Sequence, residues 1–394
     1  MFANKQVKEK PAILIYADVL LPPSATFIRW QAEALRDFTP YYVGTRAQRG
    51  LGVPVPADRT VVINSGGTSF GKLLEVPFKV FGYGPLFFQK MRRRAPVLVH
   101  AHTGPGAAVA MPLAAHLQVP LIATFHGGDV TTDPSRNGPH NTYTFRLYWK
   151  RMAQLQSRGA LFIAVSQFIR HKLLDQGYPE NRTLVHYIGV DTEFFAPDPE
   201  IPRQPIVLFV ATLQEGKGCN YVIKAMAGVQ SVLPEVELVI IGNGPQRAQL
   251  EQMAKETLKR YKFLGTQPPE VVREWMNRAQ VFSVASVTAS SGWTEAFGLV
   301  FAEAQAMGLP VVSFASGGVP EAVSNGETGF LVPEGDSEGL AHYLKILLAD
   351  AGLGIQMGRV ARSRVCGQFN LERQTAKLEN LYWQTLAASP EGAG

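Results

Sequence analysis

Short apolar runs alternate with longer amphipathic stretches along almost the whole chain, and the pattern comes round twice with one proline-rich break. A run that is apolar throughout suits a strand buried on both faces, and an amphipathic stretch between two such runs suits a crossover helix. Two rounds of this alternation predict an α/β chain of two doubly wound parallel-sheet domains. In the first, the strand candidates are Ala12–Tyr16, Tyr41–Gly44, Thr60–Ile63, Val97–His100, Leu121–Phe125, Leu161–Val165 and Thr183–His186. Helices fall between several of them, at Phe27–Arg36, Gly106–Leu117 and Phe145–Ser157. In the second, the strands are Ile206–Ala211, Glu237–Ile241, Tyr261–Leu264, Val281–Ala285, Pro310–Ser313 and Gly329–Val332, with helices at Tyr221–Val232, Gln246–Glu256 and Pro269–Arg278. The break contains Pro197, Pro199 and Pro202. Prolines cannot join a sheet ladder, so this polar stretch reads as a short, stiff linker. It divides an N-terminal domain, residues 1–196, from a C-terminal domain, residues 197–370.

A chain of 394 residues at 46% hydrophobic composition is long enough for two cores of ordinary size. Its two cysteines, Cys219 and Cys366, cannot build a disulfide framework and lack metal-ligand spacing, which points to a reducing, cytoplasmic compartment. The basic N-terminal segment has a short apolar run and carries Asp18. It reads as a first buried strand rather than a signal peptide. No uninterrupted apolar run approaches the ~20 residues of a bilayer-spanning helix. Charge is uneven: residues 1–196 hold 22 Lys+Arg against 12 Asp+Glu, and the remainder hold 16 against 20. Only the first half suits an anionic partner. No nucleic-acid module is recognisable, so a membrane surface or a diphosphate-bearing acceptor fits better than nucleic acid.

The densest chemistry lies between Ser291 and Gly318, SGWTEAFGLVFAEAQAMGLPVVSFASGG. Glu295 and Glu303 are eight residues apart around Phe297-Gly298-Leu299, where an apolar helix begins at Val300. A helix N-terminus offers unpaired N–H groups and partial positive charge, a seat for phosphate. Glu303 falls inside the helix, little more than two turns on, while Glu295 reaches from the loop. One carboxylate can accept hydrogen bonds from ribose hydroxyls and the other from sugar hydroxyls, with a diphosphate on the backbone of Gly298, Leu299 and Val300 between them. Such a site fits a nucleotide sugar.

This stretch resembles the signature of family 4 retaining glycosyltransferases, which carry two glutamates at this spacing. Glu295-Ala296-Phe297-Gly298, Glu303-Ala304, Gly308-Leu309-Pro310-Val311-Val312, Gly317-Gly318, Glu321 and Gly326-Glu327-Thr328-Gly329 all fall in order. The form SVTASSGWTEAFG, Ser286 to Gly298, is most similar to the branch that builds bacterial exopolysaccharides. The resemblance covers nearly the whole chain and is densest from Phe209 to Gly329. It implies the GT-B fold, with two Rossmann-like domains facing across a cleft and a final helix, 371–386, crossing back onto the first domain. It also implies a nucleoside-diphosphate sugar on the second domain and a saccharide acceptor, expected to be lipid-linked, on the first. No metal or other cofactor is expected, because the sequence has no Asp-x-Asp motif. Lys217 and helix dipoles must then neutralise the departing diphosphate.

Ligands of such sheets bind at the carboxyl ends of the strands. There, Thr124-Phe125-His126-Gly127-Gly128-Asp129 follows an apolar strand. Lone histidines are usually structural, but His126 projects from a strand end, and the resemblance gives it a hydrogen bond to a donor-sugar hydroxyl. Asp129 either borders the acceptor or organises the loop. Lys217, between Gly216 and Gly218, is a flexible cation suited to a diphosphate, its bland alternative being a solvated loop lysine. The family usually has Gly-Arg where this chain has Ala211-Thr212, so Thr212 replaces one expected cation with a neutral hydroxyl. Gly242-Asn243-Gly244-Pro245 is read as turn chemistry lining the donor pocket, with Pro245 opening the next helix. Leu264-Gly265-Thr266 edges the base by resemblance alone.

The first domain has Leu21-Pro22-Pro23-Ser24-Ala25-Thr26-Phe27-Ile28 in place of a glycine-rich loop. Ser24 suits a helix N-cap, and Ser24 and Thr26 also border the acceptor side by resemblance to the exopolysaccharide branch. Val76 to Arg94 interleaves aromatics with cations and ends in Arg92-Arg93-Arg94. It suits either a membrane interface, the inner face of the plasma membrane, or a core-facing helix with a basic end. The same fold also serves nucleotide-sugar epimerases and phosphorylases, and Thr212 leaves room for a non-catalytic sugar-nucleotide-binding subunit.

Overall fold

The computed structural model describes residues 10–21, 25–47, 54–66, 68–132 and 142–389. The first sheet is built from β1 (Ala12–Tyr16), β2 (Val19–Leu20), β3 (Thr39–Ala47), β4 (Thr60–Asn64), β5 (Pro96–His102), β6 (Leu121–Phe125), β7 (Leu161–Ala164) and β8 (Thr183–Val185). Its order is β2-β3-β1-β5-β6-β7-β8, with β4 also on β3, and every pairing is parallel. The second sheet contains β9 (Ile206–Val210), β10 (Glu237–Ile241), β11 (Tyr261–Gly265), β12 (Val281–Phe282), β13 (Val311–Phe314) and β14 (Gly329–Val332). Its parallel order is β11-β10-β9-β12-β13-β14.

Parallel strands must be covered on both faces, and they are. Ile13, Leu14, Ile15 and Tyr16 of β1 are all buried, as are Leu238 to Ile241 of β10. Each such aliphatic side chain stabilises the fold by roughly 1.5–3 kcal/mol. Within each sheet the strand order reverses once, between β1 and β5 and between β9 and β12. A crevice opens at the carboxyl ends of strands flanking such a reversal, which fixes where ligands can enter.

Two segments depart from expectation. Val281–Ala285 shortens to Val281–Phe282 because side-chain hydroxyls take over the pairing: Ser283 Oγ donates to Val312 O at 2.8 Å and Ser313 Oγ to Val284 O at 2.6 Å. Val76 to Arg94 is divided between the helices Ser69–Phe81 and Pro85–Arg92. The break is Gly82, whose φ of +63° and distance of 2.3 Å from a built Cβ to Pro112 Cβ exclude a side chain.

After the second sheet the chain passes β8's end again, where Val190 N donates to Phe369 O at 2.7 Å and Leu371 N to Val190 O at 2.8 Å. The helix Leu371–Ala388 then lies on the first sheet. Glu379 Oε1 accepts from Arg36 N and Asp37 N, and buried Tyr382 packs edge-on to Phe38. Among the described residues no helix is long and apolar enough to cross a membrane.

Candidate active site

The first-domain wall is a line of histidines that strand alternation places on one face. His100 Nε2 lies 2.7 Å from Thr124 Oγ1 and its Nδ1 2.6 Å from Tyr382 Oη, so the returning helix reaches this line. His102 stacks on His126, with His102 Nδ1 3.0 Å from His126 Nε2. Burial lowers His100 to about 3 and His126 to about 4, and it also depresses His102, so all three are neutral at pH 7. His126 Nδ1 is buried without a hydrogen-bond partner among the described residues. Phe27, from the helix Thr26–Glu33, holds the other side of the ring at 5.1 Å. Thr103, between His102 and the helix Gly104–Leu117, has φ +73°, a strained value for a β-branched residue.

Asp129 is committed to the loop. Its Oδ2 accepts from Gly104 N at 2.8 Å and its Oδ1 from Gly127 N at 2.9 Å, and burial raises its carboxyl despite both bonds.

The facing wall is the loop between β12 and the helix Leu299–Ala306. Glu295 is buried, and its Oε2 accepts from Lys217 Nζ at 2.5 Å and from Ser286 Oγ at 3.2 Å. Lys217 closes a single helical turn, Glu215–Lys217, and lies over the Trp293 ring at 4.8 Å. Gly298, at φ +79°, starts the helix with no side-chain cap, which leaves the first N–H groups, those of Leu299 and Val300, uncapped by a side chain. Glu303 faces no protein hydrogen-bond partner among the described residues. Although it keeps some contact with solvent, desolvation by the surrounding protein raises its carboxyl to about 7. The walls touch: a Cβ built on Gly127 would lie 2.7 Å from Ala296 Cβ, and Thr294 N donates to Thr131 Oγ1 at 3.3 Å.

The rest of the donor side lies at neighbouring strand ends. Gly242, at φ +141°, is pressed against Ala211 O, where a Cβ would sit at 1.9 Å. Its N–H donates to Gly265 O at 2.8 Å, and Leu264 O accepts from Gln267 Nε2. Thr212 is exposed. Pro245 does not open the next helix, which begins at Arg247 behind Gln246. Arg247 lies beside Gly265, with its Nη1 3.1 Å from a built Cβ, and pairs with Glu251.

Between the walls is a cavity of about 770 Å³ lined by Asp18, Lys72, Lys79, Thr103, His126, Asp129, Tyr143 and Trp293, among others. Part of its lining is an ionic network, buried at Glu75 and Lys79. Arg46 binds Glu75 through two N–H groups at 3.1 and 2.8 Å, while Lys79 bonds Asp18 at 2.9 Å. The sequence alone did not show this network, nor the roles of His102 and Trp293; only the carboxyl-end positions of Asp18 and His102 hint at them.

Ser24 lies outside the described residues, and Ala25 occupies the cap position of the helix that Thr26 opens. Arg92, Arg93 and Arg94 are exposed and do not line the cavity. Arg92 leans on His116 and Arg94 on the Tyr41 ring at 5.0 Å. The exposed apolar side chains lie upstream, at Leu73, Leu74, Val76, Phe81, Tyr83 and Leu86.

Two family models match this chain: Glycosyltransferase Family 4 over residues 42–194 and Glycosyl transferases group 1 over residues 191–364. The chain belongs to this glycosyltransferase family. It is 30% identical over 258 residues to the amylovoran biosynthesis glycosyltransferase AmsK of Erwinia amylovora, covering 64% of this chain and 61% of that one. It is 31% identical over 290 residues to the putative colanic acid biosynthesis glycosyltransferase WcaL of Salmonella typhimurium, covering 71% and 69%. The chain thus spans about three-fifths of AmsK and somewhat more of this WcaL. Among solved structures it is similar to Anabaena Alr3699/HepE in complex with UDP and glucose, with a TM-score of 0.73 and 20% identity, covering 95% of this chain and 100% of that one. It is also similar to sucrose-phosphate synthase from Thermosynechococcus elongatus, with a TM-score of 0.76 and 22% identity, covering 96% and 100%. These likenesses establish the fold, GT-B.

Proposed function

We propose that this protein transfers a sugar from a nucleoside-diphosphate sugar to a saccharide acceptor, with retention of configuration and without a metal, in the synthesis of a bacterial surface polysaccharide. The observation that carries this is the juxtaposition of His126 and its neighbours with the uncapped helix start between Glu295 and Glu303. A diphosphate at Gly298, Leu299 and Val300 receives backbone N–H groups, and Lys217, paired with Glu295, supplies a cation. Glu303, with no protein partner among the described residues, accepts from ribose hydroxyls. Neutral His126 offers Nδ1 to a hydroxyl of the donor sugar. The chemistry follows as front-face displacement through an oxocarbenium-like state, in which the departing phosphate oxygen helps take the acceptor proton. Catalysis is then mainly positioning and electrostatic stabilisation.

The acceptor is assigned to the cavity on the first domain. Exposed Val76 and Lys72 lie both on its rim and on the helix that carries Leu73, Leu74 and Phe81. A lipid-linked acceptor is supported by that apolar strip beside the cavity, and a peripheral site on an anionic membrane by the basic first half. The test is release of nucleoside diphosphate from a panel of UDP- and GDP-sugars, with and without glycoside acceptors. Release that requires acceptor supports transfer, whereas release indifferent to acceptor, or none, counts against it.

A further inference from the structure

Trp293 stands at the boundary between the two halves of the site, and three observations fix its place. The loop that carries it is clamped by two carboxylates: Glu215 accepts from Ser290 N and Oγ at 3.0 and 2.7 Å, and Glu334 from Thr288 N and Oγ1 at 3.0 and 3.1 Å. The indole is seated on Gly216, where a Cβ would lie 2.2 Å from its ring, and Lys217 lies over it. It also lines the cavity whose other described lining residues all come from the first domain. Its Nε1–H has no hydrogen-bond partner among the described residues.

Buried indoles normally pair that N–H, whereas that of half-buried Trp293 is left to solvent or a ligand. A rigid aromatic ring that lines a largely apolar cavity with a few polar groups, and whose donor has no protein partner, is a surface for a ring-shaped, amphipathic ligand. A pyranose has such a shape, with C–H groups over one face and hydroxyls at its edge. Resting on the proposed transfer activity, we infer that Trp293 is the platform for the acceptor's terminal sugar ring. It stacks against the C–H face and donates Nε1–H to a hydroxyl. Because Lys217 lies over the same ring, the platform also sets the acceptor against the departing diphosphate. Trp293 is therefore a specificity-determining residue that lines the cavity together with His126 and Tyr143.

The experiment compares wild type with Trp293→Phe and Trp293→Ala, using p-nitrophenyl α- and β-hexosides as acceptors and calorimetry with UDP and GDP for the donor side. Trp293→Ala should raise acceptor KM about tenfold, the size of one aromatic contact, while nucleotide Kd stays within about twofold. Trp293→Phe, which keeps the ring and loses the donor, should fall between. It also tests the inference if the alanine variant does not fold. Unchanged acceptor KM in both variants, alongside wild-type transfer, overturns the inference alone. An equal loss of nucleotide affinity also overturns it, since the indole would then serve the donor. No acceptor-dependent turnover by wild type sinks the transfer activity itself, and this inference with it.

Discussion

Lys217 Nζ lies 2.5 Å from Glu295 Oε2, joining the turn after β9 to the loop after β12 across the strand reversal of the second sheet. The cation proposed for the diphosphate and the carboxylate proposed for the sugar are thus one ion pair. Their side chains are 18% and 8% exposed, so neither charge has bulk water to fall back on. Donor binding must redistribute this pair, with the diphosphate taking a share of Lys217 and a sugar hydroxyl a share of Glu295.

Removing one partner leaves the other unpaired in a low-dielectric place, which costs about 3 kcal/mol. Lys217→Ala should therefore destabilise the fold by roughly that amount, and adding Glu295→Gln should restore most of it without restoring turnover. Urea denaturation of both singles and the double variant gives the coupling energy. A coupling near zero would mean that the pair is not held in solution.

Glu303 supplies a pH prediction. Its carboxyl is raised by burial to about 7, so between the ordinary carboxylate range and about pH 7 the folded state holds the proton that the unfolded chain has released. Its contribution to stability therefore falls as pH rises through that window. Nucleotide affinity should move the other way, because the ionised form is the better acceptor for ribose hydroxyls. The gain is at most about tenfold per pH unit below about 7. Glu303→Gln should weaken nucleotide binding and flatten the dependence, which calorimetry between pH 5.5 and 8.5 would read. A wild-type dependence that survives in Glu303→Gln belongs to another group.

Thr212 takes the place of an expected arginine, and its side chain is exposed beside the donor turn. Thr212→Arg should tighten nucleotide binding at low salt, with the gain shrinking as salt screens it. No change in Kd, with the fold intact, would show that another group already balances the diphosphate.

The proposed membrane attachment has two separable parts. Replacing Arg92, Arg93 and Arg94 with Ala should remove roughly 1 kcal/mol per cation that reaches the lipid, and less for Arg92 and Arg94, which lean on His116 and Tyr41. Phe81, Tyr83 and Leu86 changed to Ser should reduce binding even at high salt, since apolar insertion is not screened. Co-sedimentation with anionic vesicles at two salt concentrations separates the two. Equal binding by wild type and both variants would remove this surface from the account.

Much of the fold was legible because parallel strands are apolar runs of fixed length. Ala12–Tyr16, Leu121–Phe125, Glu237–Ile241 and Gly329–Val332 begin and end where the pattern puts them. The two-residue β2 was not, being too short to show a period, and the end of β12 depends on Ser283 and Ser313 bonding to chain distant in sequence. The glutamate spacing singled out Glu295 and Glu303 and the flanking glycines Lys217, and the structure pairs Lys217 with Glu295 beside the helix start. Invisible from spacing were the contacts that only folding makes: His102 against His126, Lys217 against Glu295, and Asp129 turned inward to two backbone N–H groups.

The most direct measurement is the anomeric configuration of the product, followed by proton NMR from a nucleotide sugar of known configuration in the presence of acceptor. The account predicts a new glycosidic signal with the donor's own configuration, absent when acceptor is omitted and lost in Lys217→Ala. An inverted signal, or donor consumed without a new glycosidic bond, would contradict it.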